Sequence, residues 1–381
     1  MSFNKALAKV LSLAGREALG DKDHHAGLLR AIRELQLAAE TPLETTSRLN
    51  FQIMQNISIR VAVEYGYLHV IAAKDGQPIS ATDLSQETKS DLLLTIRIMR
   101  VLTAIGLCDE VGYQLYAANE RTRFDLDFGM QKGGKLVEYM RGPGIQQFAD
   151  EPDAVTLFKY AHGTDVIFGL LEKNAEQKQA FDDYMAARRV EGMPQWFDIY
   201  PAAKIVQGAQ TESGATFMVD VGGGPGQEIA RFKEKHPELP GRFILQDLPL
   251  TLERIERLPD GVEVMEYDFF TPQPIKGSRI YFLRDVLHNW SDAKSAQILS
   301  RIVEAMDPKY STLLIDDYVL PDTGSELRAA EMDILMWLHT AGLERTVSQW
   351  QSLFDQVGLE LVKIWSSPKG NESVLEARIR G

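Results

Sequence analysis

The stretch FMVDVGGGPGQEIARF, residues 217–232, constrains this chain more than any other. Residues 217–221 are apolar and β-branched and run straight into glycine, the pattern of a buried parallel strand. From Gln227 the pattern changes: Ile229, Ala230 and Phe232 fall on one side at helical spacing, and His236-Pro237 stops the run. The glycines therefore occupy a strand-to-helix turn, where positive φ or close backbone approach to a ligand is cheap only for glycine. Three ligands compete for such a loop: a nucleotide phosphate, a dinucleotide pyrophosphate, or another group that needs bare backbone. No Gly-Lys-Ser/Thr closes the motif, which excludes a phosphate loop. The dinucleotide fingerprint is G-x-G-x-x-G, whereas Gly222, Gly224 and Gly226 give G-x-G-x-G, with Gln227 in the last glycine's place. An acid at the end of the next strand serves ribose hydroxyls in either case, and Asp247 in RFILQDLP holds that position. A nucleoside-containing cofactor is expected, its identity open.

Strands and helices alternate onward from residue 215: strand 216–221, helix 227–235, strands 242–247, 262–267 and 279–287, helix 292–306, strand 311–319. Such alternation predicts a doubly wound parallel sheet. The end departs from it. After a helix capped by Thr346 with Gln349, LELVKIWSSPKGNESVLEARI reads as two strands joined by a Pro-Lys-Gly-Asn turn. An antiparallel hairpin closing an α/β sheet is unlike a dinucleotide-binding domain.

The first 125 residues read mostly helical, and residues 126–210 read as a helical connector with aromatics in LFKYAHGTD and PQWFDIYPAA. In SATDLSQETKSDLLLTIRIMRVLTAIGLCDEVGYQLYA (80–117), Ser80 and Asp83 form a helix-start signature. A second helix carries Leu92, Leu93, Ile96, Met99 and Val101, and a small hairpin follows around Gly112. Helix, turn, helix, hairpin is the winged-helix arrangement. DNA recognition is not expected of it: the second helix offers Arg97 and Arg100 amid apolar residues, and the net charge is −13. The apolar surface suits a partner subunit instead, and the mildly amphipathic opening helix MSFNKALAKVLSLAGREALG reads as a packing or dimerisation helix. The charge also disfavours an anionic membrane surface. No run of about 18 apolar residues suggests a membrane span, and no signal-peptide pattern opens the chain. One cysteine in 381 residues, Cys108, excludes a disulfide framework and suits a reducing compartment, so a cytoplasmic location is expected.

VDVGGGPG, LQDLP, EYDFF, YFLRDVLHNWSD and GLERT together resemble the plant and fungal small-molecule O-methyltransferases that use S-adenosylmethionine. The resemblance covers nearly the whole chain. It implies a Rossmann-like methyltransferase domain over residues 211–381, a winged-helix dimerisation domain over 1–125, and a connector over 126–210 that contributes to the substrate pocket. It implies that Gly222, Gly223 and Gly224 approach the methionine part of the cofactor, which carries no phosphate. Asp247, beside Leu248, then accepts hydrogen bonds from the ribose hydroxyls, and Asp268 with Phe269 reads and covers the adenine. Arg284 matches a basic residue, normally lysine, that also serves the cofactor. No metal is implied.

His288 matches the family's general base, and Asp317 (IDDYVLP) and Glu344 (GLERT) match the acids that orient and polarise it. Methyl transfer needs an aligned nucleophile and removal of a hydroxyl proton. A histidine titrating at about 6.5 suits a phenol or enol. Two positions depart from the family pattern: Asn289 stands where aspartate is usual, and Asp317 where glutamate is usual. Some fungal relatives keep the cofactor but catalyse pericyclic or dehydration steps, with the sulfonium as an electrostatic catalyst. In EMDILMWLHTAG, Met332, Met336, Trp337 and His339 are expected on one helix face, lining an apolar pocket for a flat polyketide, phenolic or pyridone-like acceptor.

Overall fold

The computed structural model describes residues 2–18, 25–122, 138–141, 155–163, 194–201, 209–210, 214–253, 255, 257–340, 342–366 and 372–381. Contacts divide the chain into two units, Met1–Gly20 with Gly27–Leu136 and Leu171–Arg189, and Asp21–Ala26 with Val137–Leu170 and Val190–Gly381. Most of the connector expected over 126–210, and the Pro-Lys-Gly-Asn turn, lie outside the described residues.

The first unit is mainly helical. Helix Pro42–Tyr65 starts at a reciprocal Thr41–Glu44 cap and stops at Gly66, whose φ of +73° only glycine adopts cheaply. Ser80 caps helix Ala81–Glu87 by accepting from the Asp83 amide at 3.1 Å. Asp91 caps Leu92–Ala104 through the Leu94 amide at 2.8 Å. Strands β1 (Ile79–Ser80), β2 (Asp109–Gly112) and β3 (Leu115–Ala117) form an antiparallel sheet in the order β1-β3-β2. Tyr67, Ile71, Leu84, Ile96, Met99, Leu102 and Cys108 make the core. Burial pushes the Cys108 thiol up to about 12, so it packs as a small apolar side chain. Leu92 and Leu93 sit in the helix's first turn and remain 41% and 56% exposed, outside that core.

The second unit holds the larger sheet. Its strands are β4 (Thr216–Val221), β5 (Arg242–Asp247), β6 (Val262–Glu266), β7 (Ile280–Arg284), β8 (Thr312–Leu320), β9 (Arg345–Thr346), β10 (Leu359–Ser366) and β11 (Glu372–Ile379). The order is β10-β11-β8-β7-β4-β5-β6, with β9 alongside the end of β8. Strands β6, β5, β4, β7 and β8 run parallel, while β11 and β10 are antiparallel. The closing hairpin is therefore present. Chain order reverses between β4 and β7, which opens a crevice beyond their carboxyl ends.

Side chains alternate across the sheet. Ile280 and Phe282 face Trp196 and Phe232 on one side, while Tyr281 and Leu283 face Leu299, Ile302, Trp350 and Phe354 on the other. One strand differs from expectation. β7 stops at Arg284 rather than 287, because Asp285 takes a left-handed φ of +51° and Leu287–Asn289 coil into a 3₁₀ turn. Aspartate tolerates that conformation better than most residues, so the chain turns there and carries the 3₁₀ segment to the end of the sheet.

Candidate active site

The glycine loop follows β4, and each glycine has its own reason. A Cβ on Gly223 would lie 2.5 Å from Leu245 and 2.6 Å from the Asp220 carboxyl, so bulk is excluded by packing. Gly222, at φ +70°, lies against Val286 and Phe269, where a Cβ would meet them at 3.1 and 3.6 Å. At Gly224, φ is +60° and a Cβ would meet no atom within 4 Å. Here the backbone is bare without any packing demand, as close approach by a ligand requires. The next strand pins the loop: the Gly222 amide donates to Gln246 O at 2.8 Å, and the Gly224 amide donates to Asp247 Oδ2 at 2.8 Å.

Asp247 ends β5, and its other oxygen accepts from the Leu248 amide at 2.7 Å. Two amides thus fix the carboxylate and leave lone pairs for further donors. Asp268 follows β6, is exposed, and accepts from the Phe270 amide at 2.9 Å. Phe269 stands edge-on to Trp290, with ring centroids 5.9 Å apart. Gly222, Gly223, Gly224, Asp247, Leu248, Asp268 and Phe269 thus share one end of the sheet, and their carboxylates and bare backbone fit an adenosine cofactor whose linker carries no phosphate.

Arg284, expected at the cofactor, sits in a cluster of acids. It closes β7 on the face of Phe282, and its guanidinium pairs with Glu372 at 2.7 Å, Glu228 at 2.9 Å and Asp316 at 3.3 Å. Burial opposes its charge, but these carboxylates hold it charged. It ties β7 to β8, β11 and the helix Gln227–Lys235.

Neighbouring acids on β8 serve opposite faces, as strand alternation dictates. Asp316 meets Arg284, and Asp317 meets His288. The His288 ring is buried, with Nδ1 3.0 Å from Glu344 Oε1 and 3.6 Å from Asp317 Oδ1. A carboxylate can only accept, so Nδ1 carries a hydrogen and Nε2 is the nitrogen that exchanges a proton. Burial pushes the ring's pKa down, but Asp317, the Glu344 hydrogen bond and Asp285 outweigh it and raise it to about 9. Burial pushes Asp317 upward, against the pull of the imidazolium.

Three residues absent from the sequence expectation build this site. Gly342 lies so close to the 3₁₀ turn that a Cβ would sit 1.9 Å from His288 O, and the Leu343 amide donates to that same oxygen at 2.9 Å. Asp333, on helix Leu327–Thr340, accepts the Glu344 amide at 2.9 Å. Arg345 is buried and donates to Leu287 O at 2.9 Å, Trp290 O at 2.7 Å, Ser295 Oγ at 3.0 Å and Asp292 at 2.8 Å. Gly342 and Arg345 lay inside GLERT, which was the available signal; Asp333 had none.

Met332 and His339 are buried on helix Leu327–Thr340, while Met336 and Trp337 are half-buried. That helix packs on the 3₁₀ turn, on β8 and on helix Leu157–His162. His339 Nδ1 is 2.7 Å from Leu335 O, so the helix backbone accepts its proton.

A family model described as an O-methyltransferase domain matches residues 144–360. The chain is 33% identical over 347 residues to the demethylsterigmatocystin 6-O-methyltransferase of Aspergillus parasiticus, covering 87% of each chain. Among solved structures, one titled a pericyclic reaction enzyme superposes with a TM-score of 0.79 at 27% identity, covering 99% of this chain and all of that one. LepI in complex with S-adenosylmethionine gives 0.78 at 27% identity, covering 100% of both chains. This chain belongs to the O-methyltransferase family. It is an S-adenosylmethionine-dependent O-methyltransferase of small metabolites.

Proposed function

We propose that this protein methylates a hydroxyl of a small aromatic or enolic metabolite of polyketide, phenolic or pyridone type, with His288 as the general base. One observation carries the reading: a buried imidazole whose Nδ1 is held by Glu344 at 3.0 Å, with Asp317 at 3.6 Å. Glu344 fixes the tautomer, leaving Nε2 to take the hydroxyl proton. Both carboxylates then stabilise the imidazolium that forms.

S-adenosylmethionine, when bound, supplies a methyl group activated by its sulfonium. Gly222, Gly223 and Gly224 would lie along its methionine portion, with Asp247 and Leu248 at the ribose. Asp268 and Phe269 would meet the adenine. Arg284 would act from behind, holding β7, β8 and the helix after the glycine loop in register. Met332, Met336, Trp337 and His339 would border the acceptor. That border is apolar and aromatic, which suits a flat ring better than a sugar or nucleotide.

A second reading has its own support. An imidazole held charged beside a cationic cofactor suits a pericyclic or dehydration step, and the solved pericyclic enzyme shares this fold. We favour methylation, because two carboxylates on one nitrogen leave the other to act as a base.

The surroundings we propose are a second copy of the chain as partner, no nucleic acid or membrane, and a cytoplasmic location. Among the described residues, no helix is long and apolar enough to cross a membrane.

Replacing His288 by alanine tests the base. The rate should fall about 10²–10⁴-fold, while the demethylated cofactor still raises the melting temperature. A variant that keeps its rate would refute the assignment.

A further inference from the structure

We propose that Asp285 is a positioning residue for the base: the turn after β7 holds a third carboxylate beside His288. Asp285, His288 and Asp317 each offer one donor atom, and these atoms all lie within 4.8 Å of one another. The inference rests on His288 being the base, and it explains how the ring is governed although residue 289 carries no charge.

The geometry supports this in three ways. First, Asp285 adopts φ +51°, in the left-handed region, so the strand ends there and the chain turns into the 3₁₀ segment that carries His288. Strand alternation places residue 285 on the face of Leu283 and Asp317, opposite Arg284, and the turn keeps its carboxylate there. Second, the turn is held at both ends. The Asp285 amide donates to Asp316 O at 3.3 Å, and the Asn289 side-chain amide donates to Asp285 O at 2.9 Å. Asn289 thus stabilises the turn, whereas an aspartate there would have no hydrogen to donate. Third, Asp285 sits between the two charge clusters, 3.9 Å from the Arg284 Nε and beside His288 and Asp317.

The charges facing the ring come from several elements. Asp285 lies on its own segment with Arg284 behind it, and Asp317 projects from β8 with Asp316 turned to the far face. Glu344 lies on the segment leading into β9 and Arg345 opens that strand, with Asp333 and His339 on helix Leu327–Thr340 and Asp292 on the helix that follows the turn. Arg345 is engaged with Asp292 and backbone carbonyls, and Asp316 with Arg284. Asp317, Glu344 and Asp285 remain as the acids bearing on the ring, and Asp285 is the one on the ring's own segment.

Asparagine tolerates the left-handed region as aspartate does, so Asp285→Asn removes the charge and keeps the turn. Asp285→Gly does the same without a side chain and serves if the asparagine variant fails to fold. In full-length protein with isotope-labelled histidine, the His288 resonance is identified by its loss in His288→Gln. Its titration midpoint should move to lower pH in both Asp285 variants, while Asp285→Glu should keep most of the wild-type midpoint. An unchanged midpoint in Asp285→Asn and Asp285→Gly would overturn the proposal. So would a shift of this resonance by Mg²⁺ or Zn²⁺ that Asp285→Asn abolishes, because the trio would then be a cation site. If His288 proved dispensable for methyl transfer, the reading of the base would fail while the titration result stood.

Discussion

At the residue scale, the charge state of His288 decides what the site can do. Two opposing effects meet there: burial disfavours an imidazolium, and three carboxylates favour it. The carboxylates win, so the free protein holds a proton on the ring up to about pH 9. A base must give that proton up before it can take one from a substrate. Because kcat/KM reports the free enzyme, kcat/KM for the cofactor should climb about tenfold per pH unit from neutrality and flatten above about 9. A positive sulfonium beside the ring disfavours the imidazolium, so the kcat profile should turn at lower pH than the kcat/KM profile. Initial rates across pH check both, and a kcat/KM profile flat between pH 6 and 9 would contradict this account of the ring. His288, Asp317 and Glu344 were legible because each lies in a short recognisable string. Asp285 was not, since nothing in the strand pattern over 279–287 marks a residue that meets the ring only through the fold.

At the element scale, local patterns read well and tertiary contacts did not. The strand–glycine–helix unit, the caps at Ser80 and Thr346, and the closing hairpin follow from spacing and side-chain chemistry. The close contact of Gly342 with His288 O links segments far apart in sequence, and no periodicity encodes it. Arg284 shows the same limit. The string around it suggested a cofactor contact and gave no sign of its pairing with Glu228, Asp316 and Glu372. Helix Pro42–Tyr65 yields a prediction of its own. It leaves Phe51 69% and Met54 53% exposed, with Leu43, Ile53 and Ile57 also exposed. Clustered apolar surface of this kind marks an association face. Sedimentation of the full chain should give a dimer, and Phe51→Glu combined with Met54→Glu should give a folded monomer. A monomeric wild-type protein would contradict the proposal.

At the scale of the whole molecule, the parts agree on one division of labour. The reversal of strand order between β4 and β7 opens the crevice, the glycine loop and Asp247 border it on one side, and the 3₁₀ turn presents His288 on the other. Helix Leu327–Thr340 and the segment into β9 then set Glu344 against the ring. The acceptor itself was not legible, because an apolar border constrains shape and polarity but not identity. The central claim is that this arrangement moves a methyl group rather than merely sheltering a cation. The most direct measurement incubates the protein with S-adenosylmethionine and a panel of phenols and enols, then weighs products and counts demethylated cofactor. Product should be heavier by one methyl group, with one demethylated cofactor formed for each. Product of unchanged or water-depleted mass, with the cofactor intact, would contradict it.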